Sequence, residues 1–389
     1  MENKKNPGSP SVGEEDMFYE YWLASLKPLS ARKKRMLRDA YGSARAVYYI
    51  EETRLDQEIY LTDRDRRVLQ TGRDSRNQEE FLRGLKESWE KLQESGIRLI
   101  LYDDPAYPSR LSRIPDPPYA IYVRGELPPE NQPAVAIVGA RKCTPYGEEM
   151  ALEYAETLAG AGVAVISGMA RGIDGAGHRG ALNAGGKTYG VLGCGVDVCY
   201  PREHIGLYMD ILKNGGLIAE RAPGEPPLPA YFPERNRIIS GLSDVILIME
   251  AKEKSGSLIT ADQALEQGKD VYALPGPADS ALSQGCHRLI RQGAGILLSP
   301  EDLLEELGID RIHLLKKSDR NKKMLESPEH MVYSCLGLFP KSTGTIIEET
   351  GFSPQKVMEA LVSLVLEGYA REVSKNHYVR AGKSSGEKA

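Results

Sequence analysis

The sequence predicts an α/β fold: a doubly wound, mostly parallel sheet, with a small helical domain before it and a smaller helix-and-hairpin domain after it. Two observations carry this. Short apolar runs recur from position 134 onward, "AVAIVG", "GVAVISG", "TYGVLG", "GLIAE", "DVILIME", "DVYALPG" and "AGILLS", with helical stretches between them. Continuous apolar strands separated by helices mark a parallel sheet covered on both faces. The second observation is that glycine-bearing turns follow several of these runs. Open α/β sheets place their ligands in such turns.

The elements follow in chain order. Residues 1–15 are polar and predicted to be disordered. Residues 16–95 read as short helices with breaks at Pro28 and Gly42, a small helical domain of the sterile-alpha-motif or helix-hairpin-helix kind. Phe81, Leu85, Trp89 and Leu92 recur there at helical spacing and hide one face. Residues 96–308 hold the α/β domain, led in by two short strands around the proline-rich "YDDPAYPSRLSRIPDPP". A basic linker spans 309–326 and includes "KKSDRNKK". Residues 327–382 form the last domain. Ser353 is placed to cap a helix, Pro354 fits its first turn and Gly368 its end. A hairpin over "YAREVSKNHYVR" follows, giving the layout of a winged helix. Residues 383–389 are a disordered tail.

A chain of 389 residues exceeds what one core usually serves, consistent with several domains. The net charge of -5 gives no global basic signal, so any nucleic-acid contact must use a local patch. Cys143, Cys194, Cys199, Cys286 and Cys335 form no CxxC pair, and their odd number points to reduced thiols. The start lacks the apolar core of a signal peptide, and no apolar run reaches the roughly 20 residues that span a bilayer. A cytoplasmic protein with no membrane contact is expected.

The turns are where chemistry could lie. "VGARKCTPYG", "SGMARGIDGAGH", "LGCGVDVCYP", "EAKEKSGSLITA" and "LPGPADSALSQGCHRLI" each follow a strand. Glycine lets a phosphate approach the backbone, and the next helix offers N–H donors. There is no G-x-G-x-x-G after the first strand and no GxxxxGK[ST]. The charged residues near the turns are mostly arginines, Arg141, Arg171, Arg202, Arg235 and Arg237, whose forks suit phosphate oxygens. Tyr146, Tyr231 and Phe232 are interleaved with them, as in sites where bases stack while the backbone follows a basic groove. For Arg237 an ion pair with Glu250 or Asp244 is an equal reading. Catalysis finds little support. His178 follows Asp174 without a GxSxG serine, His287 beside Cys286 reads as structural, and no carboxylate cluster suggests a metal.

"AIVGARKCTPYG", "SGMARGIDGAGH", "FPERNRIISGLSD", "EAKEKSGSLITA" and "ALPG…GCHRLIRQGA" stand in the order and spacing of the DNA-processing protein A family (DprA, also called Smf), which the chain resembles densely over 96–300. The resemblance implies an extended Rossmann-like fold that binds single-stranded DNA without cutting it and uses no cofactor. It further implies protection of incoming strands during natural transformation, loading of RecA recombinase and work as a homodimer. It places Arg141 in the DNA pocket, Phe232 where a base stacks, and Gly139, Ser167, Gly168, Arg171, Gly256 and Ser257 at turns near the phosphates. Arg235 meets phosphate or a pocket carboxylate, and Ile238 and Ile239 lead into the packed sheet.

The sequence departs from the family in two places. Pro229 stands where relatives often carry a basic residue, so either the pocket is less positive or Arg202 substitutes. "GCH", with His287, stands for "GTN". The helix after Gly285, with adjacent Leu289 and Ile290, is a candidate dimer surface. The alternative function is a nucleoside-monophosphate phosphoribohydrolase-like enzyme, against which "SGSLIT" lacks paired glycines. In the last domain, Val357, Leu361, Leu364 and Val365 are expected in the core. Lys356, Glu359, Ser363 and Glu367 remain as the polar residues of that helix. Only one of them is basic, which suits protein contacts better than DNA reading.

Overall fold

The computed structural model describes residues 14–27, 29–71, 78–309, 328–337 and 340–380. The expected disordered start up to residue 13, the basic run 316–323 and the tail from 383 lie outside the described residues. The chain forms two compact units, residues 1–143 with 151–303, and residues 144–150 with 304–389.

The first unit opens with six helices: α1 (Glu14–Ser25), α2 (Ala31–Tyr41), α3 (Ala44–Tyr48), α4 (Glu52–Leu55), α5 (Asp63–Gln70) and α6 (Gln78–Glu94). The start of α1 lies inside the stretch expected to be disordered. Local chemistry sets several boundaries. The Ser30 and Ser43 side chains cap α2 and α3, and Gly42 ends α2 in the left-handed region at φ 82°. Thr62 and Asp65 close a capping box on α5. Trp22 and Tyr48 meet edge to face at 5.0 Å, both fully buried. Truncating Trp22 to alanine would cost about 3–5 kcal/mol. Tyr21 reaches Tyr122 of the sheet at 6.3 Å, and these helices share one apolar cluster with Tyr122, Leu217 and Ala219.

Nine strands make one sheet: β1 (Ile97–Leu101), β2 (Ala120–Gly125), β3 (Ala134–Val138), β4 (Ala164–Ser167), β5 (Thr188–Leu192), β6 (Gly215–Ala219), β7 (Val245–Ile248), β8 (Asp270–Ala273) and β9 (Gly295–Ile296). Their order is β1-β2-β6-β5-β4-β3-β7-β8-β9. From β6 to β9 every neighbouring pair is parallel; β1 and β2 join antiparallel at one edge. Strand side chains alternate between two faces. Leu217 and Ala219 join the cluster under the N-terminal helices, and Ile218 joins the opposite one with Ile121, Val138 and Ile248. The helices between and after these strands are α7 (Ser109–Ser112), α8 (Pro145–Gly160), α9 (Ile173–Asn183), α10 (Ile205–Asn214), α11 (Tyr231–Leu242), α12 (Gly256–Glu266), α13 (Gln284–Arg291) and α14 (Pro300–Glu306).

Chain order fixes where a ligand can enter. The chain steps from β3 through β4 and β5 to β6 on one side, then returns to lay β7, β8 and β9 on the other. Val135 therefore pairs with Val165 on one flank and Val245 on the other. The loops leaving β3 and β7 diverge, which opens a crevice at their carboxyl ends.

The second unit holds α15 (Pro328–Cys335), α16 (Thr343–Thr350) and α17 (Pro354–Leu366), with β10 (Lys341–Ser342), β11 (Ala370–Ser374) and β12 (His377–Arg380) in the order β10-β12-β11. Ser353 caps α17 through Lys356 N–H, and Pro354 occupies its first turn. Val357, Ala360, Leu361 and Leu364 fill the core with Val332, Ile346 and Tyr378. Val365 departs from expectation and is 38% exposed. Ala360 takes the fourth core position, and Val365 lies one step round the helix from that face.

Candidate functional site

A cavity of about 690 Å³ lies at the carboxyl ends of β3 and β7. The turn after β3 supplies Gly139, Ala140, Arg141 and Lys142, and the turn after β7 supplies Lys252 and Ser255. Helix α11 forms a wall with Phe232, Pro233, Arg235 and Asn236. Its size falls within the roughly 300–1,000 Å³ of ligand pockets. Arg141, Lys142, Arg235 and Lys252 line it against one carboxylate, Asp174. The cavity is thus locally cationic although the chain is acidic overall, and suits an anion.

The stretch 232–241 was expected to lead into the sheet. It lies inside helix α11, because Arg235, Ile238, Ile239 and Leu242 recur at helical spacing and are buried together. Arg235 reaches under the cavity. Its Nη1 donates to Gly168 O at 2.9 Å and also to Val191 O, while Nε donates to Asn236 Oδ1 at 3.2 Å. Asn236 in turn donates through Nδ2 to Gly256 O at 3.2 Å. These bonds tie the ends of β4 and β5 to the start of α12. Burial lowers the Arg235 pKa to about 10, against the attraction of Asp174. Burial raises the Asp174 pKa, with Arg235 opposing the rise. Gly168 is glycine for a steric reason. A Cβ there would stand 2.6 Å from both the Arg235 guanidinium and the Asp174 carboxylate.

Above this floor stands an aromatic wall. The Phe232 ring lies 5.6 Å from Tyr200 at an interplanar angle of 39°. The Arg141 guanidinium carbon lies 5.2 Å from the centre of the Phe232 ring. Gly193 lets the ring sit this low, since a Cβ there would be 3.0 Å from it. Arg141 and Tyr200 are exposed and Phe232 is half-buried, so faces of this stack remain open to a ligand.

The third side is the N-terminus of α12. Its first N–H groups have no intrahelical partners, and anions are favoured there. The Ser255 side chain makes no capping bond and instead meets Ser257 Oγ at 2.5 Å. A side chain on Gly256 would find open space.

The structure thus brings Gly139, Arg141, Phe232, Arg235, Gly256 and Ser257 to one cavity. Gly168 and Arg171 line a small adjoining recess with Arg141 and Phe232. Arg171 itself is held bidentately by Glu203. The others lie elsewhere. Ser167 is buried and donates to Ile137 O at 2.6 Å, a tie between β4 and β3. Arg202 is exposed on the short turn Arg202–His204 and lines neither space, whereas Pro229 does line the cavity. Arg237 makes ion pairs, with Glu220 at 2.6 Å and Asp116 at 3.8 Å rather than with Glu250 or Asp244. Sequence reasoning missed Lys142, Lys252, Tyr200 and Asn236. The lysines stood in quoted turns, and the search for forked arginines passed over them.

His178 is fully buried, with Nδ1 2.7 Å from Thr188 Oγ1, and burial lowers its pKa to about 3. His287 Nε2 lies 3.0 Å from Gly276 O. Leu289 is buried and Ile290 half-buried. Among the described residues no group of three or more His, Cys, Asp or Glu side chains could hold a metal ion, and no helix is long and apolar enough to cross a membrane.

Fold and cavity together define a doubly wound α/β protein with a cationic, aromatic-walled crevice at its switch point. The chain belongs to the DNA recombination-mediator protein A family, whose sequence profile matches residues 98–308. It is 38% identical over 322 residues to Protein Smf of Escherichia coli (strain K12), covering 80% of this chain and 86% of that protein. It is 44% identical over 204 residues to DNA processing protein DprA of Streptococcus pneumoniae, covering 52% of this chain and 72% of that protein. The X-ray structure of DprA from Streptococcus pneumoniae superposes with a TM-score of 0.59 at 34% identity, over 74% of this chain and 97% of that one. DNA processing protein A from Helicobacter pylori, described for its single-stranded DNA binding mode, gives 0.50 at 29% identity, over 54% and 95%.

Proposed function

We propose that this chain binds single-stranded DNA in the switch-point cavity, does not cut it, and hands the covered strand to RecA recombinase during DNA processing in transformation. The observation that carries this reading is the stack of Arg141 on Phe232, with Tyr200 beside it, facing the open N-terminus of α12. A base can lie against the ring while its phosphate meets Arg141, Lys252 and the helix N–H groups. Stacking tolerates any base, and the cationic lining follows the backbone, so the site accepts strands without reading sequence. The binding of single-stranded DNA described for the Helicobacter pylori relative supports it. A homodimer in the cytoplasm is part of the same proposal.

The test is a titration of single-stranded and blunt duplex DNA across a salt series. Single strands bind more tightly, with a log–log slope of about -0.7 per phosphate neutralised. Equal affinity for duplex at matched salt overturns the proposal. Incubation with nucleoside monophosphates addresses the phosphoribohydrolase alternative, for which released free base is the signature.

A further inference from the structure

Two arginines line the recess beside the cavity, and they are engaged differently. Arg141 lies against the Phe232 ring, whereas Arg171 is held by a carboxylate. Arg171 presents Nε and Nη2 to the two carboxylate oxygens of Glu203, with Nη2 2.9 Å from Oε2. That edge of a guanidinium takes a carboxylate or a phosphate in the same fork. The place on Arg171 that a strand phosphate would use is therefore already filled. Glu203 is charged at neutral pH, since the bond from Arg171 holds its pKa below the usual carboxylate range.

The backbone builds this arrangement. Arg171 sits between Met169, fully buried and held at φ 57°, and Gly172 at φ 70°. A non-glycine residue persists in the left-handed region only where its surroundings fix it. A Cβ on Gly172 would stand 2.4 Å from Ala140 O, so the turn after β4 rests directly on the turn that carries Arg141. The turn that carries Glu203 is tied to the same point. His204 Nδ1 lies 3.1 Å from Met169 O, and a Cβ on Gly175 would stand 3.1 Å from the His204 ring. Both backbones are thus fixed and close. Both side chains are exposed, 61% for Arg171 and 53% for Glu203. An exposed ion pair gains little over its solvated parts, so another oxyanion displaces it readily.

We propose that Glu203 is a built-in competitor of the strand: it occupies the Arg171 fork in the free protein and yields it to a backbone phosphate when a strand lies in the cavity. This rests on the single-strand reading above and adds a residue that tunes it. An incoming strand meets two forks, at Arg141 and at Arg171. At the second it gains only the difference between its phosphate and the Glu203 carboxylate. A lone anion has little advantage over Glu203 there. A strand already seated on Phe232 has one, because its next contact is made at high effective concentration. Glu203 thus sets the affinity lower than the arginines alone would and favours a chain of phosphates over a single one.

The test is a double-mutant cycle on the full-length chain, with a single-stranded oligonucleotide titrated at low salt. Glu203→Gln removes the competing charge and keeps the size of the side chain. It tightens binding about two- to five-fold, the range expected of one exposed ion pair. Arg171→Ala weakens binding and flattens the log–log salt slope by about 0.7. In the Arg171→Ala background, Glu203→Gln loses most of its effect. Equal tightening in both backgrounds overturns the proposal, because Glu203 would then act only through the general field. Weaker binding by Glu203→Gln overturns it too, since Glu203 would then orient Arg171 for the strand. So does an Arg171→Ala protein that binds as the parent does. If Arg141→Ala weakens single-strand binding while the cycle shows no coupling, this inference alone falls. If the parent shows no preference for single strands, the reading beneath it falls as well.

Discussion

The guanidinium carbon of Arg141 lies 5.2 Å from the centre of the Phe232 ring, joining the turn after β3 to helix α11 across the mouth of the cavity. A charge and an aromatic face thus lie at one point, and on the proposed function substitutions separate their effects. Phe232→Ala lowers single-strand affinity by about 1–3 kcal/mol with little change in salt slope. Arg141→Ala flattens the slope by about 0.7. The ring is half-buried, so both variants retain their melting temperature within a few degrees. A Phe232→Ala protein that no longer folds would show the ring to be core.

Gly256 provides a test that leaves packing alone. A Cβ there would meet nothing within 4 Å. Gly256→Leu therefore fills the cavity while gaining helix propensity. Binding falls sharply, and stability holds or rises by up to about 1 kcal/mol. Unchanged binding by this variant would place the strand outside the cavity.

Arg235 is expected to fail differently. Removing it withdraws the charge that opposes the raised Asp174 pKa and leaves the Gly168 and Val191 carbonyls without its donors. Arg235→Ala costs about 2–5 kcal/mol of stability, roughly 1–3 for each buried carbonyl left without a donor. Denaturant melts show the loss without any DNA present. A variant as stable as the parent would make Arg235 a ligand contact only.

His178 gives the fold an acid limit. Its ordinary pKa of 6.5 falls to about 3 in the folded chain because burial penalises the imidazolium. Between those values the unfolded chain binds more protons than the folded one, so stability falls as pH drops through this window. One such group contributes a slope of up to about 1.4 kcal/mol per pH unit. Replacing it in His178→Gln flattens the dependence of the melting midpoint between pH 5 and 6. A slope equal to that of the parent would mean other groups dominate.

A chain ended after residue 309 keeps single-strand affinity and salt slope, because every residue lining the cavity lies between Val138 and Leu282. Gel shifts on the truncated and full-length proteins decide it. A large loss on truncation would assign strand contacts to the second unit.

The strands β3 to β7 were legible because both faces of each are covered, which leaves uninterrupted apolar runs in the sequence. The glycine turns were legible for the same topological reason. Partners distant in the chain were not. Arg237 was matched with carboxylates close in sequence, and the fold gave it Glu220 and Asp116. Ser167 looked like a phosphate donor, but its hydroxyl is spent on Ile137 O. Val365 looked like core because it is apolar, and the turn of α17 put Ala360 in that layer instead. Lys252 was hidden by its neighbours in "EAKEKSG", a stretch whose charges resemble any solvated loop.

The place of the cavity at the switch point bears on duplex DNA. If a base lies in the cavity against Phe232 as proposed, it leaves its complementary strand. On the proposed function, a duplex must therefore open before it can enter, at a cost of a few kcal/mol for each base drawn out. Each ~1.4 kcal/mol of that cost is a tenfold loss of affinity. The protein would thus sense whether a base is paired without inspecting which base it is, and a strand would lose its hold on the cavity as its complement anneals.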